Sequence, residues 1–307
     1  MARTDPTPFL QSLLDRFEDH RDGKVQDQLP GATGVDDHFA IALATADGAV
    51  YAVGDHAHRF TIQSISKPFI YGLALDRFGG AEVHRKVSVE PTAEAFNSII
   101  ELEEDHLPYN PMINSGAIAM SAMLHHADPE GASAQVMRMF SDFLGRKAQL
   151  HPETDLSAHD GSHRNQAIAH LLRHFEVIGD DIDGALQLYT QQCCVTASTG
   201  ELALMAATLA NGGVHPVTGR RAVQRHNLRH ILTLMFTCGM YDSSGEWAFT
   251  VGLPAKSGVG GGILAVVPGH FGLAAYSPRL DGHGHSARGV QVFKAWSAEW
   301  DLSMFDL

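Results

Sequence analysis

The chain contains few cysteines and no long apolar run. Only 3 of its 307 residues are cysteines, and two of them, Cys193 and Cys194, are adjacent. This set cannot build the disulfide framework of a small secreted domain, so it favours a reducing compartment. No apolar stretch approaches the length of a membrane span, and the N-terminal residues lack the apolar core of a signal peptide. We therefore expect a cytoplasmic protein that makes no membrane contact.

Basic residues are also scarce relative to acidic ones. The chain carries 35 acidic residues against 22 lysines and arginines, which gives a formal net charge of -13. This balance disfavours nucleic acids and anionic membranes as partners. Histidine is abundant, at 19 residues, and it includes two close pairs, His56 with His58 and His283 with His285. No cysteine or carboxylate completes a zinc pattern at the usual spacing, so we expect scattered surface histidines and no metal site.

The order of the apolar patterns predicts an α/β protein. Apolar residues at helical spacing predict a first helix over 9–17, and two apolar runs joined by Asp47-Gly48 predict a β-hairpin. The helical period then dominates from Ile65 to about Met240. Later patterns predict strands over 247–253, 263–268 and 271–276, and a closing helix over 288–300.

Strands at both ends of the chain indicate one sheet built from the two ends, with a mainly helical insertion between them. We expect residues 1–307 to form a single catalytic unit, since 44% hydrophobic residues can bury a large core. Its sheet subdomain would take about 1–63 and 246–307, and its helical subdomain about 64–245. Clefts commonly form where such parts meet, so the functional site is expected at this boundary.

Two of the six lysines lie in short motifs that fit a single chemistry. The motifs are Ser64-Ile-Ser-Lys67 and Lys256-Ser-Gly258. A Ser-x-x-Lys followed downstream by Lys-Ser/Thr-Gly is typical of serine acyl-transfer enzymes such as penicillin-binding proteins and class A β-lactamases. A serine hydroxyl needs an adjacent base, and residues i and i+3 share a helix face. We therefore expect a helix that begins at Ser64 and brings Lys67 to the serine hydroxyl.

A lysine can act as this base only when its pKa is lowered. Burial lowers the pKa of a lysine, and so does a second cation nearby. We expect Lys256 to be that cation for Lys67. Each short motif also occurs by chance, usually at a solvated helix start, so the motifs alone do not fix the chemistry.

Longer segments between and around the motifs resemble the bacterial serine-dependent glutaminases. They occur in family order from about residue 30 to residue 290, and several are long and unusual. The matching segments are 63–69 (QSISKPF), 90–91 (EP), 96–98 (FNS), 110–118 (NPMINSGAI), 164–169 (RNQAIA), 205–213 (MAATLANGG), 239–246 (GMYDSSGE) and 251–262 (VGLPAKSGVGGG).

The resemblance implies a fold, a reaction and an assembly. The fold would be β-lactamase-like, with an antiparallel sheet, helices packed on it and a mainly helical insertion. The reaction would be the hydrolysis of L-glutamine to L-glutamate and ammonia, without a metal or an organic cofactor. The protein would form a homo-oligomer, either a dimer or a tetramer.

The resemblance also implies a role for each matching side chain. Ser64 would be the nucleophile and Lys67 its general base, and the backbone N–H of Val259 would complete an oxyanion hole with that of Ser64. Without the family resemblance, Tyr189 and Tyr241 would be interpreted as half-buried core residues, and Asn114 and Asn165 as helix N-caps. Gln63, Asn114 and Asn165 are the further residues expected to bind the substrate. Tyr189 and Tyr241 would line the site and relay protons, and Lys256 is the remaining expected catalytic residue.

One position departs from the family pattern. Ala158 falls where a glutamate normally contacts the α-amino group of the substrate. Asp160 lies two residues on, and in an extended segment residues i and i+2 face the same side. We expect either that Asp160 compensates or that the affinity or identity of the substrate has changed.

Two further functions stay open on the sequence. One is another serine acyl-transferase on the same scaffold, either a penicillin-interacting or a β-lactam-hydrolysing enzyme. The other is a non-catalytic homologue that binds an amino acid, which the alanine at position 158 would allow.

Overall fold

The computed structural model describes residues 5–26, 28–31, 34–154 and 163–306. Strands in these ranges come from the two ends of the chain, apart from one short strand near its middle. They are β1 (Ala40–Thr45), β2 (Val50–Gly54), β3 (Arg59–Thr61), β4 (Thr196–Ser198), β5 (Ala255–Ser257), β6 (Gly262–Val267) and β7 (Phe271–Tyr276).

Helices fill most of the chain between β3 and β5. The first helix precedes the strands, and the last one closes the chain. The helices are α1 (Thr7–Phe17), α2 (Lys67–Phe78), α3 (Gly80–Val83), α4 (Ile100–Asp105), α5 (Asn114–Ala127), α6 (Ala132–Leu144), α7 (His163–His174), α8 (Ile182–Cys193), α9 (Thr199–Ala210), α10 (Leu228–Cys238), α11 (Ser244–Thr250) and α12 (Ala287–Trp300).

Five strands form one antiparallel sheet in the order β2-β1-β7-β6-β5. The register places Ala42 opposite Ala274, and Ala274 opposite Leu264. The β1–β2 hairpin turns at Gly48, whose positive φ of 95° suits glycine. The predicted antiparallel sheet from both chain ends is therefore confirmed, as are the first and closing helices.

The two faces of the sheet enter two separate apolar cores. Alternate residues such as Ile41 and Leu273 pack with α1 and α12, while Ala42 and Ala274 face the helical part. Helix α9 packs directly on this second face, because the residues there are small. At Gly272 a Cβ would lie 2.2 Å from the backbone nitrogen of Ala207, so glycine is needed for this close approach.

Two sequence predictions about local structure are wrong. The segment predicted as a strand over 247–253 is instead largely helix α11, in which Trp247 packs on Phe293 and donates its indole N–H to the Leu253 carbonyl. The predicted helix start at Ser64 is a 3₁₀ turn over Gln63–Ser66, and α2 begins only at Lys67. In both cases tertiary packing decides over local pattern.

None of the described helices is long and apolar enough to cross a membrane. The division into a sheet subdomain and a helical subdomain stays a prediction. Helix α9, which falls inside the range predicted as helical subdomain, packs against the sheet.

Candidate active site

The first motif lies in the 3₁₀ turn that follows β3. Gln63 opens this turn with a positive φ of 49°, an uncommon conformation for a residue other than glycine. Ser64 is buried, and its carbonyl accepts the backbone N–H of Lys67. Residues i and i+3 eclipse in a 3₁₀ helix, so this turn places Ser64 and Lys67 on one side of the chain.

Lys67 lies almost wholly out of water, with 1% of its surface exposed. Its Nζ donates to Oδ1 of Asn114 at 2.7 Å, and Nδ2 of Asn114 donates to Oδ1 of Asn165 at 2.9 Å. Burial lowers the pKa of Lys67 to about 7, and the nearby Cys193 opposes this shift only in part. A lysine with this pKa is partly neutral near pH 7 and can accept a proton.

Asn114 and Asn165 thus share one hydrogen-bonded chain with Lys67. Asn114 is the first residue of α5 and makes no side-chain capping bond, so the N-cap interpretation does not hold for it. Asn165 lies in the first turn of α7, and 5% of it is exposed. The chain of amides fixes the orientation of Asn114, because its nitrogen must face the Asn165 oxygen.

Lys256 lies on the edge strand β5 and is fully buried. Its Nζ donates to the carbonyls of Gly239 and Ser257 at 2.8 and 2.9 Å, and it lies 3.9 Å from the centre of the Tyr241 ring. Burial, and then the charge of Lys67, lower the pKa of Lys256 well below its ordinary value. The expectation that Lys256 sets the pKa of Lys67 is therefore not supported. Burial is the leading cause at both lysines.

Tyr241 links the two motifs. Its backbone has a positive φ of 52°, and its ring contacts those of Phe96 and His285. Its hydroxyl donates to the Ser257 carbonyl at 3.3 Å and also hydrogen-bonds the side chains of Ser64 and Ser257. Burial raises the pKa of Tyr241 to about 12, so the phenol keeps its proton at neutral pH.

The glycine-rich turn after β5 lies against the turn that carries Ser64. A Cβ on Gly258 would lie 2.6 Å from the Ile62 carbonyl oxygen, and one on Gly260 would lie 2.4 Å from the Thr61 carbonyl oxygen. Real Cβ atoms do not approach oxygen so closely, so only glycine permits this contact. Val259, between the two glycines, is held beside Ser64 as a result.

A cavity of about 500 Å³ opens in front of these groups, at the seam between the helices and the sheet. Tyr189 reaches it from α8 and, like Tyr241, is 4% exposed, so neither is the half-buried core tyrosine that the sequence alone favours. The cavity is lined by Gln28, Leu29, Pro30, Gln63, Ser64, Phe96, Asn97, Asn114, Glu153, Thr154, Asn165, Tyr189, Thr190, Cys193, Cys194 and Val259.

The structure brings most of the expected site residues together around the cavity. Ala158 and Asp160 lie outside the described residues. Lys67, Tyr241 and Lys256 do not line the cavity directly. Lys67 contacts the lining at Asn114, Tyr241 contacts it at Ser64 and Phe96, and Lys256 lies against the Tyr241 ring.

Phe96 is a site residue that sequence reasoning left without a role. Its ring covers Tyr241 at 4.7 Å and lies 5.9 Å from Nζ of Lys67. Its carbonyl accepts the backbone N–H of Asn114, and the next carbonyl, that of Asn97, accepts from Arg164. The family-like segment at residues 96–98 was the feature of the sequence that could have identified Phe96.

The expectation of scattered surface histidines is wrong for His285, which is 2% exposed, while His283 is half-exposed and pairs with Asp242. Within the described ranges, no three or more histidine, cysteine or acidic side chains are arranged to hold a metal ion.

Comparison with known proteins gives a consistent result. The family model described as Glutaminase matches residues 23–305. The chain is 45% identical over 300 residues to a glutaminase of Microcystis aeruginosa, an alignment that covers 97% of this chain and 89% of that one.

Solved structures share the fold. The structure of Mglu in its glutamate form has a TM-score of 0.92 at 39% identity, covering 99% of this chain and 71% of that one. The structure of the probable glutaminase ybaS has a TM-score of 0.93 at 37% identity, covering 98% of both chains. These neighbours have the β-lactamase-like fold, which confirms the predicted fold class. The protein belongs to the glutaminase family and is an amidohydrolase.

Proposed function

We propose that the protein hydrolyses L-glutamine to L-glutamate and ammonia through an acyl-enzyme on Ser64. The observation that carries this mechanism is Lys67, a buried lysine whose pKa is about 7 and which shares one side of the 3₁₀ turn with Ser64. Neutral Lys67 takes the proton of the Ser64 hydroxyl as its oxygen attacks the side-chain amide carbon of glutamine.

The tetrahedral intermediate carries a negative charge on the former carbonyl oxygen. The backbone N–H groups of Ser64 and Val259 stabilise it, and the tight contact of the glycine turn supports this role because it fixes Val259 beside the nucleophile. Collapse of the intermediate breaks the carbon–nitrogen bond. The amide nitrogen takes a proton that starts on Lys67 and leaves as ammonia.

The two tyrosines serve the proton transfers. Tyr241 contacts Ser64 and Tyr189 lines the cavity, and both phenols can pass a hydrogen bond between serine, lysine and leaving group. Water then attacks the glutamyl ester, with Lys67 again as the base, and releases glutamate.

The amino-acid end of the substrate is held by polar groups on the helical side of the cavity. We assign this to Gln63, Asn114 and Asn165, which line the cavity. A contact from Asp160 to the ammonium stays a prediction from the sequence.

A trapping experiment tests the mechanism. Wild-type protein mixed with glutamine and quenched in acid is expected to carry a glutamyl ester on the peptide that contains Ser64, seen by mass spectrometry. Ser64→Ala is expected to fold, to form no ester and to release no ammonia. Ammonia release by a folded Ser64→Ala protein would contradict the mechanism. Turnover of a chromogenic β-lactam without ammonia release from glutamine would point to the alternative acyl-transferase.

We further propose a cytoplasmic homo-oligomer, either a dimer or a tetramer. Exposed apolar side chains near the C-terminal end support association. Phe249 is 93% exposed and Phe305 65%, and the two segments are joined by a hydrogen bond from Met304 N–H to the Gly252 carbonyl. Light scattering coupled to size-exclusion chromatography measures the assembly, and a mass that stays at one chain at micromolar concentration would contradict it.

A further inference from the structure

His285 lies behind the wall of the active site. Its ring is parallel to that of Tyr241, at an angle of 9° and a centroid distance of 5.2 Å. The preceding residue, Gly284, packs on the same wall, since a Cβ there would lie 3.7 Å from the Val259 side chain and 3.8 Å from Phe96. This histidine is therefore built into the support of the catalytic groups.

The hydrogen bonds around the ring determine where its proton lies. Ser243 Oγ donates to the Met240 carbonyl at 2.8 Å, so the only proton of this hydroxyl is already used. We therefore assign the ring hydrogen to Nε2 of His285, which donates to Ser243 Oγ at 2.7 Å. In a neutral imidazole, Nδ1 is then an acceptor.

Nδ1 lies 2.8 Å from Oγ of Ser257. Because Nδ1 accepts, the Ser257 hydroxyl donates its hydrogen bond to His285. The Tyr241 hydroxyl donates to the backbone carbonyl of the same Ser257, which leaves the phenol oxygen to accept from the Ser64 hydroxyl. His285 thus holds the side chain of the residue whose carbonyl accepts from Tyr241, and so supports the position of the phenol oxygen that faces the nucleophile.

Burial keeps the ring of His285 neutral at the pH of the reaction. Burial lowers the pKa of His285 to about 4, and Lys256 and His283 act in the same direction. Asp281, which accepts the backbone N–H of His285 at 3.0 Å, and Asp242 oppose the shift only in part. A neutral ring is what allows Nδ1 to accept.

We propose that His285 is a positioning residue of the amide hydrolysis, which stacks on Tyr241 and, through Ser257, orients the Tyr241 hydroxyl toward Ser64. This inference rests on the proposed Ser64 mechanism. His285 does not line the cavity, so its loss is expected to change kcat and to leave KM nearly unchanged.

Three variants distinguish a positioning role of His285 from a merely structural one. His285→Phe keeps a flat ring against Tyr241 but removes both hydrogen bonds, and it is expected to lower kcat by about ten- to a hundredfold with KM within about twofold. His285→Asn places an amide oxygen near the Nδ1 position, so kcat is expected to stay within about fivefold of wild type. The matched control, His283→Asn, changes the half-exposed histidine of the same segment and is expected to leave kcat and KM unchanged.

The tautomer has its own spectroscopic readout. In ¹⁵N-labelled protein at pH 6.5, the histidine resonances that disappear in His285→Asn are expected to show a neutral ring protonated at Nε2. A ring protonated at Nδ1, or a cationic ring, would overturn the inference.

The kinetic results can also overturn it. They do so if folded His285→Phe keeps wild-type kcat, if only KM rises, or if His283→Asn loses as much kcat. If His285→Phe does not fold, Ser257→Ala removes the same hydrogen bond and is expected to show the same fall in kcat. Wild-type protein that releases no ammonia from glutamine would count against the proposed function instead, and the tautomer measurement would then decide the inference.

Discussion

The hydrogen bond from Lys67 to Asn114 offers a direct test of the catalytic base. Asn114→Asp replaces a neutral amide by a carboxylate of the same size, 2.7 Å from Nζ of Lys67. An opposite charge at this distance favours the charged lysine and raises its pKa by about 1–3 units. Since burial holds the pKa of Lys67 at about 7 in the native protein, the variant is expected to titrate between about 8 and 10.

The sign of the effect on rate follows from the role of Lys67. The base must be neutral, so kcat/KM falls about tenfold for each pH unit below its pKa. At pH 7 about half of the native protein has a neutral Lys67, against roughly a tenth to a thousandth of the variant. The value of kcat/KM at pH 7 is therefore expected to fall roughly five- to five-hundredfold, and the loss is expected to shrink as the pH rises toward 10.

Ammonia release at low glutamine concentration, measured from pH 5.5 to 10.5, gives the profile of kcat/KM for the free enzyme. Asn114 also contacts the cavity, so the midpoint of the acidic limb is compared and not its height. Asn114→Leu serves as the control, because it removes the hydrogen bond without adding charge and is expected not to raise the midpoint. An unchanged or lower midpoint in Asn114→Asp, or an equal rise in Asn114→Leu, would refute Lys67 as the base.

Three further predictions concern stability, the glycine turn and the substrate. Lys67→Met is expected to abolish ammonia release and to raise the free energy of unfolding at pH 7 by up to roughly 5 kcal/mol. The reason is that a lysine with a folded-state pKa of about 7 and an ordinary pKa of 10.5 destabilises the folded protein below pH 10.5. Lower stability in chemical denaturation would contradict this. Gly258→Ala is expected to displace the N–H of Val259 and to lower kcat by about a hundred- to a thousandfold, as the loss of one oxyanion donor does, and unchanged steady-state kinetics would exclude that role. Ala158→Glu is expected to lower KM for glutamine with kcat changed less, unless Asp160 already binds the ammonium, in which case Asp160→Asn raises KM; if neither variant alters KM, the segment does not touch the ammonium.

Regular features of the fold were accessible from sequence because they depend on local periodicity. The hairpin at Asp47-Gly48 and the strands at 263–268 and 271–276 carry apolar runs bounded by turn residues, and all are present. The segment at 247–253 misled, because Trp-Ala-Phe-Thr-Val has strand-like composition while its conformation is set by Trp247 packing on α12.

The same distinction holds for the site, where residues of one motif were predicted and contacts between distant segments were not. Ser64 and Lys67 were predicted because they lie three positions apart in one motif. The burial that lowers the pKa of Lys67 was not, since it comes from elements distant in sequence, such as the segment that carries Phe96. The role of His285 was not predicted for the same reason, since no neighbouring residue in the sequence indicates its contacts with Tyr241 and Ser257.

The pairing of β1 with β7 has a consequence for how the chain folds during synthesis. Ala42 and Ala274 lie opposite each other although about 230 residues separate them, and closing such a loop costs roughly 5 kcal/mol of chain entropy. The strand pair that joins β1 to the rest of the sheet can therefore form only after β7 has left the ribosome. A nascent chain that already carries Ser64 and Lys67 still lacks Lys256 and the glycine turn. Catalysis thus becomes available only after the glycine turn and β7 have been made, long after Ser64 and Lys67.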